Sequence, residues 1–453
     1  MGSGQIRSTL LSSLALIGLL VSSCAPPFRH YAQVNECLLK EDYNSALTPI
    51  KKNRKAYTKP NAALYYLEHG IIAHYASDYE ESNQCLAQAE SIMDELYTKS
   101  LSKEAASFLI SDNTIPYRGE DFENALVNLF MALNYVELGL WEDALVEARK
   151  VDSKLSVINS QYAEDKENVY KEDGFIRFLM GVLYEAEGEN NDAFISYRKA
   201  EEIYRTDYLQ NYGIYPPPFL IENLLIAARA MDFHEEMAEI QTVYGDVAFM
   251  NPAEKKEMAE VYFIHYNGLA PEKVERQWFV PMPDGYVVKI AYPSFERRDY
   301  RISRGEIALM SLTSGCSFRF PTVLMEDIGS IAVMNLENRL DRIKAKAIAR
   351  ATAKYLATMA AVRSVEDEKE ESLALLVQIA GNLVSMMTEQ ADVRHWRLLP
   401  AEIRVGRVLV SPGEYEGEIE FVDAWGGVLF SREVERFTVE AGEKRFFIHR
   451  TIR

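Results

Sequence analysis

Ser100 and Lys103 stand at the spacing by which a lysine can take the proton of a serine nucleophile, and Ser111-Asp112-Asn113 follows a few residues later. A serine acyl-enzyme built on those two motifs needs a Lys-Thr-Gly segment, which the chain lacks. It also needs a helical domain between the two motifs, where only a short stretch is available. The seven histidines include no pair at i, i+4, and His234-Glu235-Glu236-Met237 lacks the second histidine of a zinc-protease helix. No cysteines or histidines fall at metal-ligand spacing, and neither a nucleophile elbow nor a phosphate-cradling glycine loop is present. Glu416, Glu418 and Glu420 point to one side of a strand, but that side reads as a solvated edge rather than a pair of hydrolytic carboxylates. The expectation is a protein that is not an enzyme and holds no metal.

Cys24 has the clearest chemistry. One positive charge at Arg7, an apolar run from Leu10 to Val21 and two small residues, Ser22 and Ser23, precede it, which is the order of an export signal with its cleavage site. The run is too short to read as a membrane span. Val21-Ser22-Ser23-Cys24 resembles the lipobox of bacterial lipoproteins. That resemblance implies cleavage before Cys24, acylation of its thiol as the only covalent group, and a membrane tether. Residue 25 is alanine rather than aspartate, which by the same resemblance implies the outer membrane. Lipidation leaves Cys37, Cys85 and Cys316, so a full disulfide framework is excluded by parity. A Cys37–Cys85 bridge remains open in an oxidising compartment, with buried free thiols as the simpler expectation. The net charge of −19 makes a general nucleic-acid binder a poor reading.

The elements that must position any site are helices first. Gly181, Tyr184, Gly188, Ala193, Tyr197 and Ala200 fall on the template of a helix-turn-helix repeat of about 34 residues. Small residues let the two helices approach, aromatics fill the gap, and Gly188 ends the first helix in a left-handed cap. Ala132, Tyr135, Gly139, Trp141, Ala144 and Ala148 make a second match, and Gly70, Ala73, Tyr79, Leu86 and Ala89 a third. The segment from 31 to 250 therefore resembles the tetratricopeptide-repeat family, with uneven spacing between units. Pro216-Pro217-Pro218 is expected to open the last helical pair. A concave groove for a protein partner is expected on the first helices, around Tyr66, Asn128, Tyr135 and Arg177.

Beyond about Glu260 the period changes. Val261 to Tyr266, Tyr286 to Tyr292 and Ile302 to Met310 read as strands. A long helix runs from about Ser330 to Val362, and a second starts at the acidic patch Glu366 to Glu371 and ends near Gln390. Arg339, Arg342, Lys346, Arg350 and Lys354 form a basic strip on the long helix beside an apolar stripe of Ile343, Ala347, Ala351, Tyr355 and Met359. Such a strip suits anionic headgroups, an acidic glycan or an acidic protein. The plainer expectation is pairing with Glu366 to Glu371 or solvation. The uncharged helix from Leu373 to Met387 is expected to pack on the long one rather than enter a membrane. Glu414 to Phe421 alternates as a half-buried strand, and Gly426-Gly427 and Gly442-Glu443 read as hairpin turns.

Ala391-Asp392-Val393-Arg394-His395-Trp396-Arg397-Leu398-Leu399-Pro400, with Glu326-Asp327-Ile328-Gly329 and the Arg/Lys-rich helix, resembles a family of repeat-containing bacterial envelope lipoproteins. The expected fold is α + β and multidomain. It comprises a signal (1–23), a linker after Cys24 (24–30), all-α repeats (31–250), a mixed region with a long helical hairpin (251–400) and an antiparallel β sandwich or sheet (401–453). The expected role is a lipid-anchored adaptor binding an envelope protein, with peptidoglycan or polysaccharide as the alternative ligand.

Overall fold

The computed structural model describes residues 30–100, 115–160, 162, 168–366 and 370–452. The leader with Cys24, the Ser100–Lys103 motif beyond its first serine and the whole of Ser111–Asn113 lie outside them.

Helices come in antiparallel pairs: α1 (Tyr31–Leu39) with α2 (Tyr43–Lys52), α3 (Ala62–Tyr75) with α4 (Tyr79–Ser100), and α5 (Asp121–Glu137) with α6 (Trp141–Asn159). α7 (Gly174–Ala186) pairs with α8 (Asn190–Ile203), and α9 (Pro218–Ala230) with α10 (His234–Tyr244). The template residues do what their types require. A Cβ on Gly181 would stand 2.4 Å from the Tyr197 ring, so the tight crossing of α7 and α8 needs glycine. Gly139 and Gly188 take φ of +71° and +78° where α5 and α7 end. Asp42 and Asp173 cap α2 and α7 through Ser45 N (3.0 Å) and Ile176 N (2.8 Å), and Pro218 opens α9 as expected. Beyond Ile203, α8 widens into a π-helical stretch, Tyr204–Tyr208, before its last turn, Leu209–Tyr212. After α10 comes one short helix, α11 (Pro252–Lys256).

The β region is two packed sheets. The first has strand order β10 (Lys444–Thr451), β1 (Ala259–Asn267), β7 (Glu402–Val410), β6 (Val323–Glu326). The second runs β5 (Ser317–Pro321), β4 (Arg304–Ser311), β8 (Gly413–Val422), β9 (Val428–Val439). β1 is buried at every position, in keeping with its apolar run from Val261 to Ile264. Val261 and Phe263 face the second sheet, and Tyr262, Ile264 and Tyr266 face the repeats. The molecule is thus three layers, repeat helices, first sheet and second sheet, with β1 in the middle.

Two expectations are corrected. Gly442-Glu443 does not join a hairpin: β9 belongs to the second sheet, whereas β10 crosses to the first and pairs in parallel with β1, Glu260 opposite Lys444. The segment 401–453 is also no separate module, because β7, β8 and β10 pair with β1, β4 and β6 from the preceding region. Cys37, Cys85 and Cys316 are free thiols, without a Cys37–Cys85 bridge.

A β2–β3 ribbon (Glu272–Pro281, Val287–Glu296) stands apart from both sheets and carries the helical hairpin of α12 (Ile328–Glu366) and α13 (Glu371–Thr388). Tyr286, Val288 and Ile290 of the ribbon segment pack on Ala347 and Ala351 of α12. Asn382 of α13 donates to the Val287 carbonyl at 2.9 Å.

Candidate functional site

The concave face of the repeats is occupied by the chain itself. First helices supply the contacts. His74 of α3 meets the Tyr266 hydroxyl at 3.0 Å, and the Tyr75 hydroxyl donates to the Leu398 carbonyl at 2.9 Å. Glu123 of α5 accepts from Trp396 N at 2.6 Å, and Glu68 of α3 accepts from Arg397 N at 3.0 Å. Asn223 of α9 accepts from the Arg407 guanidinium at 2.9 Å. The segment Ala391–Pro400 acts as a strap across the groove. Trp396 is 1% exposed and meets the Phe130 ring edge to face. A partial signal was present: Glu68 is the one carboxylate in the mostly apolar segment Ala62–Tyr75, and a buried carboxylate needs a partner from outside its helix.

The groove expectation is corrected accordingly. Asn128 is fully buried and donates to Glu147 (2.6 Å) and Glu90 (2.8 Å), which lie on the second helices α6 and α4. Arg177 pairs with Asp152 of α6 at 3.0 Å. Tyr66 is half-buried and accepts from Arg54 at 3.3 Å, and Tyr135 is half-buried at the rim of the core. Asn128 and Arg177 are thus spent on contacts between helices.

The basic strip fares differently. A cleft of about 550 Å³ opens where the entry to α5, the ribbon, the strap and the base of α12 meet. Arg118, Lys273, Arg339, Arg342, Lys346, Arg350 and Arg394 line it, against the carboxylates of Glu120 and Asp392. Leu336, Ile343, Ala347, Ala291 and Pro293 give it an apolar floor. Four of the cations are anchored. Lys273 and Arg339 converge on Glu120, and Arg339 also lies 3.7 Å from Asp121. Burial by itself would raise the Glu120 pKa, but the charges of Lys273 and Arg339 overcome that and hold it well below the usual carboxylate range. Arg394 grips Asp392 at 2.6 and 2.8 Å and donates to the Ile115 carbonyl at 2.9 Å.

Arg350 is buried and forks onto Glu389, with its closest contact at 2.7 Å. Lys354 shares that carboxylate at 2.7 Å and lies outside the cleft. The expected pairing of the strip with Glu366 to Glu371 is corrected for Arg339, Arg350 and Lys354: their carboxylates are Glu120, Asp121 and Glu389. Arg342 is exposed, and Lys346 is half-buried beside it. Seven cationic side chains and two carboxylates, Glu120 and Asp392, line the cleft itself. A cationic wall over an apolar floor holds an anion that has an apolar body. No group of three or more His, Cys, Asp or Glu able to hold a metal ion occurs among the described residues.

No protein-family model matches the chain. No curated protein matches it either. Among solved structures, aspartyl phosphate phosphatase F from Bacillus subtilis is 15% identical, with 49% of this chain and 50% of that one covered and a TM-score of 0.31. BtubC (BKLC) from P. vanneervenii is 13% identical, with 56% and 95% covered and a TM-score of 0.33. The Rap conjugation gene regulator of plasmid pLS20, solved with the Phr* peptide, is 15% identical, with 47% and 52% covered and a TM-score of 0.28. The chain spans about half the length of the first of these, and the overlaps carry no functional argument.

Proposed function

We propose that this protein is a non-catalytic adaptor of the bacterial envelope, tethered through acylated Cys24, that holds an acidic segment of a partner protein in the cleft beside α12. The observation that carries this reading is the cleft itself, seven cationic side chains around an apolar floor. The repeats supply a rigid body and spend their concave face on the chain's own strap and first sheet. Binding therefore moves to the edge of that filled groove. The leader pattern and Ala25 support an outer-membrane tether, and the lack of the Lys-Thr-Gly segment and intervening domain that the Ser100–Lys103 pair would need supports a role without catalysis.

The test is crosslinking from the native envelope, comparing the wild-type chain with Arg342→Glu/Lys346→Glu. One envelope protein recovered with the wild type and lost with the double variant is the expected result, with recovery falling as salt rises. Equal recovery with both chains would sink the cleft reading. Saturable binding to purified sacculi that the double variant abolishes, with no protein recovered, would transfer the cleft to an acidic wall glycan.

A further inference from the structure

The β2–β3 ribbon leaves one of its edges open. Met282 N donates to the Tyr286 carbonyl at 2.8 Å, and the register runs without a shift from Pro281 opposite Val287 to Glu272 opposite Glu296. Alternation along an antiparallel pair then turns the N–H and C=O of even-numbered residues inward and those of odd-numbered residues outward. Pro281 and Pro293 agree with this, since proline has no N–H to give the ladder and both fall at outward positions. The outer edge of β3 meets the helical hairpin, where the outward Val287 carbonyl accepts from Asn382. Among the described residues no strand or helix packs along the outer edge of β2. Arg276 to Pro281 are six consecutive exposed residues, and Trp278, Phe279 and Val280 are 45%, 50% and 42% exposed. Edge strands are ordinarily guarded by charge, a bulge or a covering element, and between Arg276 and Pro281 this one has none of them.

We propose that an extended segment of a partner protein adds to this edge as a third strand of the ribbon. The inference rests on the reading of the cleft as a site for an acidic segment and extends it, because β2 begins in the cleft. Lys273 lines the cleft, and Glu275 accepts from Ala391 N of the strap, a second lining residue, at 2.8 Å. The open main chain defines the occupant. Gln277 and Phe279 each present a donor and an acceptor outward and Pro281 an acceptor, at a spacing that another extended chain matches. Side chains add selectivity: Phe279 stands on one face and Trp278 and Val280 on the other, so apolar residues on either side of the added strand gain cover. The edge is also held in place. Lys344 of α12 lies 5.4 and 5.0 Å from the ring centres of Trp278 and Tyr292, which themselves meet at 5.1 Å. A strand fixed in this way loses little freedom on binding. From Lys273 to Pro281 it spans about 27 Å, so an extended segment of about ten residues reaches from the cations of the cleft to the turn. A second copy of β2 fits less well, because its Pro281 would leave a donor missing from each half of a two-fold ladder.

The probe is a synthetic peptide of alternating threonine and valine with glutamates at both ends, added to the chain from Ala25 to Arg453. Binding is read by fluorescence anisotropy and by hydrogen exchange. Bound peptide is expected to slow exchange at the Gln277 and Phe279 amides and to leave those of Trp278 and Val280, already in the ladder, unchanged. Gln277→Pro removes one outward N–H and sets a ring on the edge without breaking a bond to β3, as Pro293 already does on the other strand. It is expected to weaken binding by about 10-fold, whereas Gln277→Ala keeps it within about twofold. Binding that survives Gln277→Pro but is abolished by Arg342→Glu/Lys346→Glu overturns the added strand and keeps the cleft. Loss with Gln277→Pro alone supports the added strand and counts against the cleft reading that it extends. Absence of binding to the wild type at millimolar peptide overturns the proposal. So does self-association in sedimentation velocity that Gln277→Pro abolishes, which would hand the edge to a second copy.

Discussion

Glu68 shows how one side chain can set the pH response of the fold. It is fully buried on α3, where its Oε1 accepts from Tyr31 (3.1 Å) and from Arg397 N (3.0 Å). Burial raises its pKa to about 8 despite the nearby Arg397. Glu123 is raised to about 7, first by burial and then by the Glu120 charge. A carboxylate whose folded pKa exceeds its unfolded value binds more protons in the native state, so its ionisation opposes folding as pH climbs. Between about pH 4.5 and 8 these two groups therefore make stability fall with rising pH. Glu68→Gln removes one of them. Its Tm relative to wild type is expected to be higher at pH 8 and nearly unchanged at pH 5, as read by thermal denaturation at both values. A deficit that is equal at the two pH values would assign Glu68 a packing role only. The sequence displayed the acid within Ala62–Tyr75 but not its partner, which arrives from more than three hundred residues away.

At the scale of elements, the strap is the piece that converts an open repeat array into a closed body. Trp396→Ala would leave a cavity against Phe130 of α5 while keeping the backbone N–H from which Glu123 accepts. The expected cost is about 3–5 kcal/mol, measured by urea denaturation, with a shallower slope if the repeats separate from the sheets. The repeats and the helical hairpin could be read from sequence because their signals are local. Gly181 and Tyr197 meet within one helical pair, and the α12 row repeats every four residues. The pairing of the strands could not be read: alternation identifies β8, but nothing near β10 says that it leaves β9 for β1. The strip on α12 was visible as a row of charges, while its division into anchored members, such as Arg350, and cleft-facing ones, such as Arg342, depended on Glu120 and Glu389, whose positions only the tertiary fold supplies. Asn128 was misplaced for a related reason, since offset within a repeat does not by itself separate the face toward the groove from the face toward the next helix.

On the scale of the whole molecule, repeats and sheets share one hydrophobic core that runs from Tyr31 through β1 to Val405. Unlike an open solenoid, where each repeat depends on its neighbours alone, this array has a second partner along its inner face. Deleting Lys444–Arg453 removes β10, exposes one edge of β1 and leaves Glu260 without Lys444. Breaking up a buried charge cluster that also contains Lys255 and Arg407 adds to the loss. The shortened chain is expected to lose cooperative unfolding and to be cut by protease within the repeats as well as the sheets. Survival of a protease-resistant fragment ending near residue 250 would instead show that the repeats fold alone.

The parallel pairing of β10 with β1 has a bearing on delivery. A ribosome or a translocation channel releases residues in order, and of the four strands of the first sheet β10 emerges after the other three. Until it does, β1, which carries Tyr262, Ile264 and Tyr266, has one edge unpaired. The first sheet can therefore close only after β10 is free, more than 170 residues behind the strand it pairs with.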